Sequence, residues 1–443
     1  MATKDLTTGS VPKALAAMTG PMTLGVLAVI SVGLADAYFV GRLGEAPLAA
    51  IGFVFPVTIA LTSLGIGLSA GANATISQAL GRRDEEAAQR IAAHVTVVTL
   101  VLGLVVMLLG WWSVGPLFRA LGAEPELLSL IEEYMVVWYA GFPLLAGALV
   151  VNAAIRAHGN TALPAALMSL NAVFNVGLDP VLIWGWGPIE PQGVAGAAQA
   201  TVIAFAVSLL VSLWPVLNRL EVTRPGAFLE PGYGQSLADV GAVGAPAALA
   251  NAINPAGLAV LTAIVAQFGS AAVAGFGAAG RIESFAMVPL LGLSGSIGPV
   301  IGQNWGAKKI ERAGRAVRVS SIFCVAYGLG VAVLLWFVAG PLAERFSPAP
   351  EVQAQTALYL RIVSWSFFGY GLVIVVNASL NARSQALQSM LLSLGRVALL
   401  LLPLAWLGAE LSGLSAVYAA AAAANILAAV AALLLAKRSG LWA

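Results

Sequence analysis

Acidic residues inside long apolar runs are the side chains of this sequence best suited to chemistry. Asp36 lies near the end of the first apolar run, within residues 31–41, and Asp179 and Glu283 lie in two later runs. A carboxylate at the bilayer centre costs roughly 2.5–3.5 kcal/mol on insertion scales, so acids at such positions are functional candidates by default. We therefore expect Asp36 to hold a cation or a proton, with a buried structural acid as the alternative.

Further polar side chains accompany Asp36. Asn171, Asn175 and Asp179 are spaced by four and share one face of a helix, and Thr201 lies in the next apolar run. Counted from the ends of their runs at about 1.5 Å per residue, Asp36, Asp179 and Thr201 fall at one depth in the outer leaflet, so we expect them to be neighbours. Their oxygens could hold Na⁺, whereas burial and mutual repulsion of two carboxylates would favour a bound proton. Asn175 and Thr201 could also be ordinary interhelical contacts.

Two other residues are connected with this cluster by position. Pro21 lies in the same run as Asp36, where its ring and missing N–H should kink or loosen the helix. A hinge that responds to the charge on Asp36 is one interpretation, and a kink that belongs to the scaffold is the other. Tyr134 lies at a depth from which it could reach Asp36.

Glu283 is accompanied by Arg281, but residues two apart do not face each other on a helix, so we expect each to have another partner. A second ion or substrate site around Glu283 and Arg281 is one hypothesis, and a structural pair is the other. We expect no metal site beyond Na⁺ at Asp36, because His94 and His158 lack partners at ligand spacing.

The elements that must position these residues are membrane-spanning helices. Of 443 residues, 60% are hydrophobic and 9% are charged, which indicates an all-α integral membrane protein. Division at charged and Gly/Pro-rich breaks predicts twelve spans: 14–41, 48–76, 91–113, 128–156, 161–185, 193–217, 237–267, 271–300, 316–339, 354–382, 386–408 and 412–436.

An internal repeat with an offset of 225 organises these spans into two halves. Residues that match at this offset include Pro21 and Pro246, Gln78 and Gln303, and the runs 150–153 and 375–378. The repeat predicts two pseudo-symmetric six-helix lobes, 1–218 and 237–443, joined by a cytoplasmic linker at 219–236, around a central cavity. Asp36 corresponds to Leu261, so the predicted cation site belongs to the first lobe alone.

Charge distribution predicts the orientation and excludes several functions. Lys and Arg gather on one side of the predicted spans, with only Arg42, Arg119, Arg345 and Arg361 on the other, which places both termini in the cytoplasm. A net charge of +2 without a basic patch argues against a nucleic-acid partner. The sequence carries no zinc-protease, nucleophile-elbow or Walker-type motif, so we expect no enzyme, no cofactor and energy from an ion gradient.

The combination of motifs resembles the multidrug and toxic compound extrusion (MATE) family, in its bacterial DinF-like branch. The resemblance spans the whole chain and rests on Pro21 with Asp36, the run 171–180 and the run 193–201. It implies cation-coupled export of amphipathic, often cationic drugs across the inner membrane. It also implies a cation site at Asp36, Asn175, Asp179 and Thr201, with the backbone carbonyl of Ala197 as a further ligand.

The hypothesis is therefore an H⁺- or Na⁺-coupled antiporter that works by alternating access, as a monomer in the lipid bilayer, on small amphipathic substrates. A flippase for lipid-linked precursors is the first alternative, although it would need a large basic cavity and only Arg281 and Arg396 lie within spans. A non-transporting membrane scaffold is the second alternative.

Overall fold

A computed structural model describes residues 5–218 and 222–442. Residues 219–221, at the start of the predicted linker, lie outside these ranges. The described part of the linker contains a short 3₁₀ helix at Pro225–Leu229.

The described residues form twelve helices that are long and apolar enough to cross a membrane, which confirms the predicted number. They are α1 (Val11–Gly41), α2 (Glu45–Gly81), α3 (Glu85–Ala120), α4 (Pro125–Ala157), α5 (Ala162–Trp184), α6 (Gly193–Asn218), α7 (Tyr233–Ala266), α8 (Ser270–Gly306), α9 (Ile310–Phe346), α10 (Pro350–Ala382), α11 (Ala386–Ser412) and α12 (Leu414–Arg438). In hydrocarbon every backbone polar group needs an internal partner, and a helix provides one within each segment.

Most helices extend beyond the apolar spans predicted for them, because polar turns at their ends continue the backbone hydrogen bonds. The predicted span 91–113, for example, is the middle of α3, whose start is fixed by Asp84. The Asp84 carboxylate accepts a hydrogen bond from the Ala87 amide at 3.0 Å, which satisfies one of the free N–H groups at the helix start.

Two helices of the second half are irregular in their middle. A 3₁₀ turn at Ser364–Ser366 interrupts α10, and a π-helical segment at Gly395–Leu401 interrupts α11. Such π segments are rare and occur frequently at functional sites. Neither irregularity was predicted from the sequence, because the apolar run that defines each span continues on both sides of it.

The described contacts divide the chain into two compact units. One unit contains Leu24–Ala248, and the other contains Leu6–Thr23 with Leu249–Ala443. Both α1 and α7, which correspond to each other in the repeat, are therefore divided between the units. The predicted lobes 1–218 and 237–443 instead assign each of these helices whole to one lobe.

Close helix packing in the first unit brings α1 beside α5. Gly25 of α1 lies so near α5 that a Cβ at this position would be 3.0 Å from the Cα of Ala165. The two helices run in the same direction, because both begin on the side of the membrane where the predicted topology places the N-terminus. Asp36 is about three turns beyond Gly25 and Asp179 is about four turns beyond Ala165, so the two carboxyl groups come to a similar level.

In the second unit the segment before α1 is attached to the α8–α9 region. The Leu6 amide donates to Oε1 of Gln303 at 2.9 Å, and Nδ2 of Asn304 donates to the Leu6 carbonyl at 3.1 Å. The Arg312 guanidinium donates to the carbonyl oxygens of Thr8 and Gly9. These bonds connect residues roughly 300 positions apart in sequence.

Candidate functional site

The carboxyl groups of Asp36 and Asp179 meet between α1 and α5. They lie within side-chain hydrogen-bonding reach of each other. Asp179 is completely buried, and Asp36 is partly buried. Two ionised carboxylates offer acceptors only, so a hydrogen bond between them requires one shared proton. The geometry therefore brings together the two acids that the sequence predicted to be neighbours, in an arrangement that suits proton binding.

Acceptor oxygens around this pair lack donors. Four buried oxygens have no hydrogen-bond partner among the described residues: Oδ1 and Oδ2 of Asp179, Oδ1 of Asp36 and Oδ1 of Asn175. An unsatisfied buried polar group costs about 1–3 kcal/mol, and more when it is charged. A proton or a small cation with oxygen ligands would relieve this cost, so the cluster has the chemistry of a cation site.

A chain of hydrogen bonds orients the amide of Asn175. Its Nδ2 donates to Oγ1 of Thr201 at 2.9 Å, and Thr201 Oγ1 donates to the Ala197 carbonyl oxygen at 3.1 Å. Because the amide nitrogen of Asn175 donates to Thr201, the amide oxygen is held in position as one of the free acceptors of the cluster. The Ala197 carbonyl accepts this bond in addition to its backbone bond within α6, so its part as a further cation ligand stays a prediction.

Gly196 sets the distance between the helices that carry these residues. A Cβ at this position would collide with the backbone carbonyl of Leu182 and the backbone nitrogen of Ile183. Backbone atoms cannot turn aside as a flexible side chain can, so only glycine permits this approach of α6 to α5. The approach places Thr201 opposite Asn175.

The other residues predicted around the cluster differ in their positions. Tyr134 lies close enough to interact electrostatically with both Asp36 and Asp179. Asn171 lies about two helical turns from Asp179, and among the described residues the hydrogen bonds of the cluster join Asn175, Thr201 and Ala197 without it. Pro21 is about four turns before Asp36 on α1, close to the division of that helix between the two units. Its role as a hinge stays a prediction.

The hydroxyl of Thr201 provides a test of this arrangement. Thr201→Val keeps the side-chain shape but removes the acceptor for Asn175, so we expect the initial rate of coupled transport in proteoliposomes to fall about tenfold, equivalent to roughly 1.4 kcal/mol. Thr201→Ser keeps the hydroxyl and should retain most of the wild-type rate. Equal rates for the Val and Ser variants would contradict a role for this hydroxyl.

Glu283 and Arg281 do not form one site. Glu283 accepts a hydrogen bond from the Tyr359 hydroxyl at 2.6 Å, whereas Arg281 is exposed. The cation that interacts electrostatically with Glu283 is Arg396 of α11. The two side chains lie in different surroundings, as expected for positions two apart on α8, and a second ion or substrate site at Glu283 stays a prediction.

Arg396 is the residue that sequence reasoning missed at Glu283. Its position inside a span was the available signal, since charged residues at such depths are functional candidates by default. Contacts between distant helices decide its partners, and no sequence spacing within one helix reveals them.

A known protein family matches the chain twice, once in each half of the internal repeat. The family model described as MatE matches residues 21–181 and again residues 246–407. The two matches begin 225 residues apart, at Pro21 and Pro246, which is the offset of the internal repeat.

Similar proteins and structures cover nearly the whole chain. A "FAD transporter" of Shewanella oneidensis is 34% identical over 433 residues, which are 98% of this chain and 96% of that protein. "Multidrug export protein MepA" of Staphylococcus aureus is 25% identical over 427 residues, 96% of this chain and 93% of that protein. The crystal structure of a mutant of the Vibrio cholerae MATE transporter VcmN superposes with a TM-score of 0.93, at 32% identity over 97% of each chain.

Proposed function

This chain belongs to the MatE family of membrane transporters, and from that premise we propose that it is a cation-coupled exporter that exchanges H⁺ or Na⁺ for an amphipathic small molecule. The observation that supports coupling is the set of four buried acceptor oxygens without donors on Asp36, Asp179 and Asn175. These oxygens bind a positive charge, and the free energy of that charge drives the substrate outward.

The energetics of such an exchange are sufficient with few ions. One elementary charge that moves down a potential of 100 mV releases about 2.3 kcal/mol. A tenfold concentration gradient of a neutral substrate requires about 1.4 kcal/mol, so one ion per substrate sustains somewhat more than a tenfold gradient. Coupling is reciprocal: a substrate that weakens cation binding is itself bound more weakly when the cation is present.

Between the two ions, the contact of Asp36 with Asp179 favours the proton. A proton shared by the two carboxyls supplies the missing donor and removes half of the charge that the pair would otherwise bury. Na⁺ would need several of the same oxygens as direct ligands, and a partly protonated pair offers it fewer. We therefore propose H⁺ as the coupling ion.

The substrate class is proposed from the relatives. One relative is named for multidrug export and another for FAD transport, so the names share no single compound, and we propose amphipathic organic molecules as the substrate class. Cationic drugs are among the substrates we propose. We also propose the cytoplasmic membrane as the location, with both termini in the cytoplasm on the basis of the Lys and Arg distribution, and a monomer as the transporting species.

A transport assay with separated gradients tests this function. Proteoliposomes that contain the purified protein are loaded with the cationic dye rhodamine 6G. Either a pH gradient or a Na⁺ gradient is then imposed across their membrane, without the other. We expect the pH gradient to drive dye movement against its concentration and the Na⁺ gradient to leave the rate at the level of protein-free liposomes. Dye transport driven by the Na⁺ gradient alone would overturn the assignment of the proton as coupling ion. Dye transport driven by neither gradient would overturn cation coupling.

A further inference from the structure

A buried arginine occupies the irregular middle of α11. Arg396 is only 9% exposed and lies in the π-helical segment Gly395–Leu401. Its Nη1 donates to Oδ1 of Asn425 at 2.8 Å, and its Nη2 donates to Oδ1 of Asn254 at 2.5 Å. The guanidinium carbon is 5.0 Å from the centre of the Tyr370 ring. The positive charge of Arg396 therefore lies inside a membrane-spanning helix, surrounded by two neutral amides and an aromatic ring.

The nearest opposite charge is held apart from this arginine. Glu283 interacts electrostatically with Arg396, but its Oε2 is hydrogen-bonded to the Tyr359 hydroxyl at 2.6 Å. Among the described residues, the ion pairs with charged atoms within 4.0 Å do not include Glu283 with Arg396. A buried charge gains most from direct contact with an opposite charge, so this separation leaves the Arg396 guanidinium without a charged partner in contact with it in the described part of the chain.

The orientation of the arginine is fixed by side chains behind it. Asn425, which receives one of its hydrogen bonds, donates from Nδ2 to Oγ of Ser366 at 3.0 Å. Ser366 belongs to the 3₁₀ turn of α10, so Asn425 of α12 is hydrogen-bonded to both irregular segments. Groups supported in this way keep their geometry when a ligand binds, which lowers the entropic cost of binding.

We propose that Arg396, with Asn254 and Asn425, binds an anionic oxygen group, a carboxylate or a phosphate, of the transported substrate. Arginine has five N–H donors in a planar fork that matches such groups, and the two amide oxygens occupy only part of it. Glu283 repels the same anion and so limits its affinity. This inference rests on the proposed function, since it assigns the site to substrates of the exporter.

Two xanthene dyes of similar size and opposite charge test the inference by equilibrium binding. Carboxyfluorescein carries the anionic group and rhodamine 6G does not, and binding to full-length protein in phosphatidylcholine nanodiscs is followed by fluorescence polarisation. We expect Arg396→Gln to weaken carboxyfluorescein binding at least tenfold and to change rhodamine 6G binding less than twofold. We expect Arg396→Lys, which keeps the charge but loses the fork, to give an intermediate loss.

Removal of the negative charge of Glu283 should change carboxyfluorescein binding in the opposite direction to removal of Arg396. Glu283→Gln should tighten carboxyfluorescein binding about threefold or more, because it removes the repelling carboxylate. Arg281→Gln is the matched control, an exposed arginine of the same unit, and should alter neither dye. If Arg396→Gln does not fold, the Arg396→Lys and Glu283→Gln variants still predict changes of opposite sign.

Three outcomes would overturn the inference: equal weakening of both dyes by Arg396→Lys or Arg396→Gln, no change in carboxyfluorescein binding, or weaker carboxyfluorescein binding in Glu283→Gln. Displacement of carboxyfluorescein by phosphatidylglycerol in the nanodisc would assign the site to a lipid headgroup and overturn the substrate assignment. The binding assay uses no gradient. If the variants weaken both dyes equally while the wild-type protein still transports under a gradient, this inference fails and the proposed function stands. If the variants change the two dyes as expected but no gradient drives transport, the proposed function fails.

Discussion

Asp36→Asn is expected to lower pH-gradient-driven export of rhodamine 6G about a hundredfold, a change of roughly 2.7 kcal/mol. The amide fits the space of the carboxyl group but cannot exchange a proton at neutral pH, so the pair with Asp179 loses its titrating member. The amide nitrogen also supplies the donor that Asp179 lacks, so the folded protein should be at least as stable as the wild type. Transport in proteoliposomes and thermal unfolding of the same preparation separate the two effects.

Asp239→Asn serves as the control for this substitution. Asp239 is exposed at the start of α7 and bonded to Gln235, so the same chemical change there should leave export unchanged. Rhodamine 6G binding without a gradient should also persist in Asp36→Asn, because the substitution removes coupling and leaves the rest of the chain intact. Wild-type export by Asp36→Asn at equal protein content would refute the assignment of the coupling site.

Gly196→Ala is expected to lower both stability and transport. The added Cβ meets backbone atoms of Leu182 and Ile183, which must move away, and overpacking of this kind costs about 1–3 kcal/mol or more. Movement of α6 from α5 would also lengthen the bond between Asn175 and Thr201, so coupled transport should fall further than the loss of folded protein explains. Thermal unfolding in detergent and transport per folded molecule measure the two losses.

Gly177 of α5 offers a matched comparison, because a Cβ there meets nothing within 4 Å. Gly177→Ala should unfold at or slightly above the wild-type temperature, since alanine favours the helix over glycine. If the two alanine variants behave alike, the close approach at Gly196 is not what positions the site.

The candidate site was largely predictable because its geometry follows from regular helices. A spacing of four residues placed Asn175 and Asp179 on one face, and depth along straight spans placed Asp36 beside them. The same face also contains Asn171, which lies about two turns from Asp179, and its part in the site stays a prediction. Depth along a span is a useful guide because the apolar run determines which residues of a helix lie in the hydrocarbon core, even where the helix extends beyond it.

The surroundings of Arg396 were not predictable in the same way. Its partners Asn254, Asn425 and Glu283 lie on three other helices, so the network depends on which helix faces which neighbour. Apolar periodicity carries little of this information when a helix is hydrophobic on every side. The division of α1 and α7 between compact units was hidden for a related reason: a continuous apolar run does not indicate where its packing partner changes.

The bonds between the first residues and the α8–α9 region also determine the order in which the protein can be built. Leu6 emerges from the ribosome first, but its partners Gln303 and Asn304 are synthesised about 300 residues later. At about 5–20 residues per second, the start of α1 waits roughly 15 seconds or more for its place in the second unit. The first helix must therefore remain inserted in the lipid without those contacts, and the unit that contains Leu6–Thr23 is completed only after most of the chain has been translated.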